Sequence, residues 1–223
     1  MDLNKYREII DEFILENNSE KDPQKRKILE DFEIRLKKDL RNQEIQNKFK
    51  NLYDNKQFIG YICVASQFVE FKIKEIILQL QQLAILSNKN LKLDKDWEEN
   101  TLGGLIGILE KKCIKDSDLI KQLRDFKKLR NKAIHKLFDI AFEIKDVEYE
   151  IETQLTPSFT YYNNIIAPLD VYLYWIAIKN FKTKDKRGEI SRETKSTFEK
   201  ICHKMEEWHP NFKNKNAEKN IRF

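Results

Sequence analysis

The chain predicts an all-α fold, on three observations. Five Gly and four Pro in 223 residues leave few places to break a helix. Lys, Asn, Ile and Leu are abundant while the β-favouring Val and Thr are sparse. Apolar residues recur at threes and fours, and no stretch sustains the alternation of a half-buried strand. A chain of this length buries a sizeable core as one domain with extensions.

The elements follow in order. Tyr6, Ile9, Ile10, Phe13 and Ile14 lie at helical spacing over 3–15. Asp22-Pro23 pairs a capping residue with proline at the first helical position and starts a second helix to about Arg41, with 43–53 continuing it after a kink. Residues 57–86 form a long, mostly buried helix through Ile59, Ile62, Val69, Ile73, Ile76, Ile77 and Leu80. A polar loop spans 88–100, and Thr101 caps a short helix to about Cys113 whose Gly103, Gly104 and Gly107 leave room for a close neighbour. Asp116 or Ser117 caps the next helix. Residues 144–160 are polar and predict an irregular stretch with an extended piece. An apolar helix follows over 161–181, begun or interrupted near Pro168, then an amphipathic helix over 191–208 and a basic, disordered tail after Pro210. This gives an N-terminal helical extension (1–55), a helical domain (56–182) and a C-terminal amphipathic helix with a basic tail (183–223).

The net charge of +5 is unevenly placed. Twelve cations face seven acids over 181–223, so residues 1–180 are balanced. Within that neutral body, Lys121, Arg124, Lys127, Lys128, Arg130, Lys132 and Lys136 face Asp125 alone, a local excess of six. A patch of this kind gathers polyanions. Cys63, Cys113 and Cys202 are odd in number and form no CxxC pair, which points to a reducing cytoplasmic setting. The N-terminus has no apolar signal core, and no stretch predicts a membrane span. Cys202, His203 and His209 lack a fourth ligand at zinc spacing, and Gly103-Gly104-x-x-Gly107 lacks the strand and Gly-Lys-Ser/Thr of a phosphate loop, so neither metal nor cofactor is expected.

The basic segment ends in Arg130-Asn131-Lys132-Ala133-Ile134-His135, which places a permanent cation, an amide and a near-neutral acid/base group within six positions. On a helical wheel Leu119, Leu123, Phe126, Ala133, Ile134 and Leu137 form an apolar stripe, with Arg124, Lys128, Asn131 and His135 opposite. Arg130 falls inside the apolar stripe, where an unpaired guanidinium is costly, so it needs a partner, an interface or a break in the helix. Glu70 is an acid that could pair with it. Asn131 and His135, four apart, are within reach of one another. Arg130 and His135 point about 140° apart on one ideal helix. Two copies meeting across a two-fold axis would bring both to one phosphate; a helix break near Ala133 is the other solution.

The run Leu123–His135 resembles the signature of the HEPN superfamily, an Arg followed by four to six residues and a His, with Arg-Asn-x-x-x-His a typical form. Ala65-Ser66-Gln67-Phe68-Val69-Glu70-Phe71 and Thr101-Leu102-Gly103-Gly104-Leu105-Ile106 are similar to stretches that precede it in that family. The resemblance covers roughly 57–181. It implies an antiparallel helical bundle that forms a homodimer, and a metal-independent endoribonuclease serving as a toxin or in defence against phage, alongside an antitoxin or defence-system partner protein. It implies that Arg130 binds the scissile phosphate, His135 transfers a proton and Asn131 positions one or the other. Arg124, Lys127, Lys128, Lys132 and Lys136 are the expected RNA-binding cations, and Glu70 the expected support for Arg130. Family members regulated by nucleotidyltransferase antitoxins carry a Tyr two places after the His; here that place is Leu137, so modification there is unsupported. The alternative is a catalytically silent module of the same fold that binds RNA, a nucleotide or a partner protein.

Overall fold

The computed structural model describes residues 7–8, 11–12, 14–15, 20–55, 57–142 and 147–222. Among them all regular structure is helical, apart from one isolated antiparallel bridge between Ile114 and Ile221. The principal helices are α1 (Pro23–Asp54), α2 (Phe58–Leu86), α3 (Leu102–Ile108), α4 (Ser117–Phe142), α5 (Val147–Lys186), α6 (Arg192–Trp208) and α7 (Asn216–Asn220). They form two compact units, Met1–Asn51 with Lys184–His209, and Leu52–Thr183 with Pro210–Phe223.

In the first unit, Asp22 does what its place before Pro23 predicts: its carboxylate accepts the Lys25 backbone N–H at 3.1 Å. Helix α1 then runs to Asp54, through the stretch over 43–53 that was expected to continue it. Ser191 caps α6 by accepting the Thr194 N–H at 3.2 Å, and Ile201 and Met205 supply its buried face.

The second unit is organised on α2. Tyr61, Ile62, Ala65, Val69, Ile73, Ile76, Ile77 and Leu80 are wholly buried, and α2 packs against both α3 and α4. The opposite side of α2 carries Val64, Phe71, Leu78 and Ile85, 41 to 73% exposed and seven residues apart. That spacing keeps them in one stripe, with a drift of only about 20° per step. Helix α3 widens into a π-helical turn over Leu109–Cys113 before the chain extends at Ile114. Of its glycines, Gly103 makes room for the Lys127 side chain from α4: a Cβ there would lie 2.6 Å from Lys127 Nζ. Gly104 admits the Asn100 side chain in the same way, whereas Gly107 faces open space.

Two expectations are overturned. Helix α5 is continuous through 147–160 and across Pro157 and Pro168, where a polar irregular stretch and a break at Pro168 were expected. Each proline removes one backbone hydrogen bond, a local penalty of about 3 kcal/mol that the helix absorbs. On the C-terminal side, Ile165, Ile166, Leu169, Tyr172 and Ile176 are buried and anchor it. The residues after Pro210 are ordered: a 3-10 turn over Pro210–Lys213 stacks Phe212 on Tyr174 with ring centroids 4.6 Å apart, and α7 follows. Apolar anchoring by Phe212, Ala217 and Ile221 outweighs the tail's charge. The expected helix over 3–15 lies mostly outside the described residues; 7–8, 11–12 and 14–15 are helical.

A largely buried ion pair within the second unit joins two of its helices. Lys72 Nζ on α2 lies 2.6 Å from Asp170 Oδ1 on α5, with the Lys72 side chain 3% exposed and its ammonium 5.5 Å from the Phe68 ring centroid. Removing one partner strands a buried charge. Asp170→Ala is expected to lower unfolding free energy by about 3 kcal/mol in urea denaturation, and Lys72→Met combined with Asp170→Leu to recover most of it. A single-variant loss below about 1 kcal/mol contradicts this account of the pair.

Candidate functional site

Helix α4 is aimed by its first residue outside the helix. Asp116 Oδ1 accepts the Leu119 backbone N–H at 2.9 Å, which settles the capping choice in favour of Asp116 over Ser117. Its second oxygen accepts the Tyr172 hydroxyl of α5, also at 2.9 Å. Burial pushes the Tyr172 phenol well above the ordinary tyrosine range, so it stays protonated and donating; the Asn220 amide at 3.4 Å opposes that shift. The C-terminal segment closes on the same region. Lys115 N–H donates to the Asn220 carbonyl at 2.7 Å, and Arg222 N–H to the Cys113 carbonyl at 2.8 Å.

The apolar stripe of α4 is where its periodicity puts it. Leu119, Leu123, Phe126 and Ala133 are buried and Ile134 is half-buried, while the Lys136 and Leu137 side chains lie outside the described residues. The helix is unbroken over Ser117–Phe142, so a break near Ala133 is not how Arg130 is accommodated. Arg130 is instead half-buried: Nη1 donates to the Asn131 side-chain oxygen at 3.2 Å, and Nε is fully buried with no hydrogen-bond partner. Glu70 is half-buried on α2, and among the described residues the Arg130 hydrogen bond goes to Asn131 rather than to Glu70. The Asn131 amide oxygen is thereby turned towards the arginine. His135 is exposed, two helical positions beyond Ala133.

The expected RNA-binding cations divide. Arg124, Lys128 and Lys132 are exposed. Arg124 pairs with Glu110 at 2.6 Å and Lys128 with Asp125 at 3.1 Å; both are surface pairs, weak enough to exchange for phosphate oxygens. Lys127 is half-buried and runs across Gly103, away from that group. Residues 121, 124, 128, 131 and 135 recur at threes and fours, so Lys121, Arg124, Lys128, Asn131 and His135 form one line along α4. Lys121 belongs to this line and was legible from its spacing. Lys115 and Arg222 were not: they join Lys121 at a cleft of about 590 Å³ only because the C-terminal segment returns to residues 113–115.

Among the described residues no group of three His, Cys, Asp or Glu side chains is placed to hold a metal ion, and none of the three cysteines is in a disulfide. His203 of the Cys202-His203 pair lies 3.2 Å from Glu207. No helix among those described is long and apolar enough to cross a membrane. Comparison with known proteins returns no matching family model, no matching curated protein and no matching solved structure.

Asp116→Ala removes a helix cap and strands the Tyr172 hydroxyl. The expected loss is about 2 kcal/mol of unfolding free energy, roughly one for each bond. A loss under about 0.5 kcal/mol would show that Asp116 does not anchor α4. Burial also raises the Cys113 thiol to about 12. In the folded protein at mildly alkaline pH, Cys113 is expected to resist a thiol reagent that modifies half-buried Cys63 and Cys202, with reactivity read by mass spectrometry of peptides. Equal modification of Cys113 contradicts a closed C-terminal segment.

Proposed function

We propose that the protein is a HEPN-type, metal-independent endoribonuclease of the toxin or phage-defence kind. The observation that carries this reading is the line of Lys121, Arg124, Lys128, Asn131 and His135 on α4, with Arg130 beside Asn131 holding a buried, unpartnered Nε. An arginine with unfilled hydrogen-bonding capacity, on the same helix as an exposed histidine and a row of cations, suits a bound phosphodiester. In this reaction the 2′-hydroxyl of RNA attacks the adjacent phosphorus and the 5′-oxygen leaves. His135 takes the hydroxyl proton or protonates the leaving oxygen. Arg130 stabilises the charge developing on the phosphate, and Asn131 holds the guanidinium through its amide oxygen. The products are a 2′,3′-cyclic phosphate and a 5′-hydroxyl.

The reading includes a homodimer. Arg130 and His135 diverge on an unbroken α4, so one phosphate is reached more readily by Arg130 of one copy and His135 of another. The exposed stripe Val64, Phe71, Leu78 and Ile85 is an apolar surface on which a second copy can sit. A silent RNA-binding module is the second reading. The exposed ring of His135, in line with the cations, favours the enzyme.

The test is cleavage of single-stranded RNA in EDTA. The wild type is expected to cut RNA and leave DNA intact, and His135→Ala or Arg130→Ala to cut at least about 100-fold more slowly. Metal-dependent cleavage that survives His135→Ala contradicts the mechanism. For the shared site, mixing His135→Ala with Arg130→Ala is expected to restore part of the activity, because a mixed dimer rebuilds one intact pair. Phe71→Lys with Leu78→Lys is expected to yield monomers by light scattering and to abolish cleavage. Full activity of a monomer contradicts the shared site.

A further inference from the structure

Beyond His135 the same helix borders a second cationic feature. A cleft of about 590 Å³ lies between the π-helical turn, the first turns of α4 and the C-terminal segment. Lys115, Lys121, Arg124, Lys128 and Arg222 line it. Its three acids are committed: Glu110 to Arg124, Asp125 to Lys128, and Asp116 to the α4 cap and Tyr172. Lys115 and Lys121 are exposed, and neither has an ion-pair partner among the described residues. Arg222 is fixed by its backbone and by Nη1, which donates to the Glu110 and Lys111 carbonyls at 3.1 and 3.3 Å. Its Nε is buried without a partner, and Nη2 makes no hydrogen bond among the described residues. A guanidinium held by carbonyls, beside two unpaired ammonium groups, retains donors for an oxyanion. The first turn of α4 presents its positive end to the same cleft through Ser117.

We infer that this cleft is a phosphate subsite for the RNA strand, seating backbone phosphates on Lys115, Lys121 and Arg222 while the scissile phosphate lies near His135. The inference rests on the ribonuclease reading and extends it. Lys121 and His135 are fourteen positions apart on one straight line of side chains, about 21 Å along the axis. Arg124 and Lys128 fill the interval. The strand is therefore held along α4 by its phosphates, remote from the reacting bond, which gives affinity without base selection. The C-terminal segment becomes part of the RNA surface, since its return to residues 113–115 is what places Arg222 there.

The experiment measures binding apart from cleavage. A short, uncleavable 2′-O-methyl RNA is titrated by fluorescence anisotropy into wild type, Lys115→Gln/Lys121→Gln, Arg222→Gln, and a control, Lys200→Gln/Lys204→Gln, on exposed α6 positions. The first double variant changes only exposed side chains, so it keeps the test valid should Arg222→Gln unfold. The expected result is a roughly tenfold rise in Kd for the cleft double variant, with the slope of log K against log salt falling by about 1.4, the effect of two phosphate contacts on single-stranded RNA. The control is expected to keep the wild-type slope. An unchanged slope in the cleft variant, or an equal fall in the control, overturns the subsite and leaves the ribonuclease reading standing. Failure of the wild type to bind RNA overturns that reading and the subsite with it.

Discussion

One carboxylate sets the geometry on which the rest of the second unit depends. Asp116 ends the extended stretch after the π turn, caps α4 with one oxygen and receives Tyr172 from α5 with the other. A cap alone fixes where a helix starts. A cap that also holds a buried phenol fixes the helix against its neighbour. Because α4 is a single rod from Ser117 to Phe142, its anchored first turn carries every later side chain with it, including Arg130 and His135. The same short stretch, 113–115, receives the C-terminal segment, so one junction orients the basic helix and brings Arg222 beside it.

The helix then divides its labour by periodicity. Leu119, Leu123, Phe126 and Ala133 supply the buried side, and the positions at 121, 124, 128, 131 and 135 supply a polar line. Arg130 belongs to neither. Its Nε is buried without a partner, and its Nη1 is satisfied by its neighbour Asn131. Leaving such a donor unmade costs about 1–3 kcal/mol. The phosphate-binding role proposed for Arg130 would fall to its remaining Nη donors.

Much of this organisation was legible from the residues. Asp22-Pro23 announced a helix start through local chemistry, and Asp22 acts as the cap, whereas the expected cap Thr101 makes no side-chain capping bond. The buried face of α2 and the apolar stripe of α4 followed from spacing alone. What escaped was non-local or ran against local preference. Pro157 and Pro168 signal interruption, yet α5 passes through both because the apolar run Ile165 to Ile178 is held in the core. The basic tail looked solvated because its anchors, Phe212, Ala217 and Ile221, are few and scattered, and the Ile114–Ile221 bridge spans nearly the whole second half of the chain. The role of Lys127 depended on Gly103, a pairing of helices that spacing along one helix does not reveal.

The central claim is that α4 presents an RNA-cleaving face whose proton-transfer group is His135. It is tested most directly by the chemistry of the cut ends. Wild type and His135→Ala are incubated with total RNA in EDTA and the termini are mapped. The account predicts 2′,3′-cyclic phosphates and 5′-hydroxyls from the wild type and none from His135→Ala. Ends bearing 5′-phosphates, or the same cuts from both proteins, would contradict it.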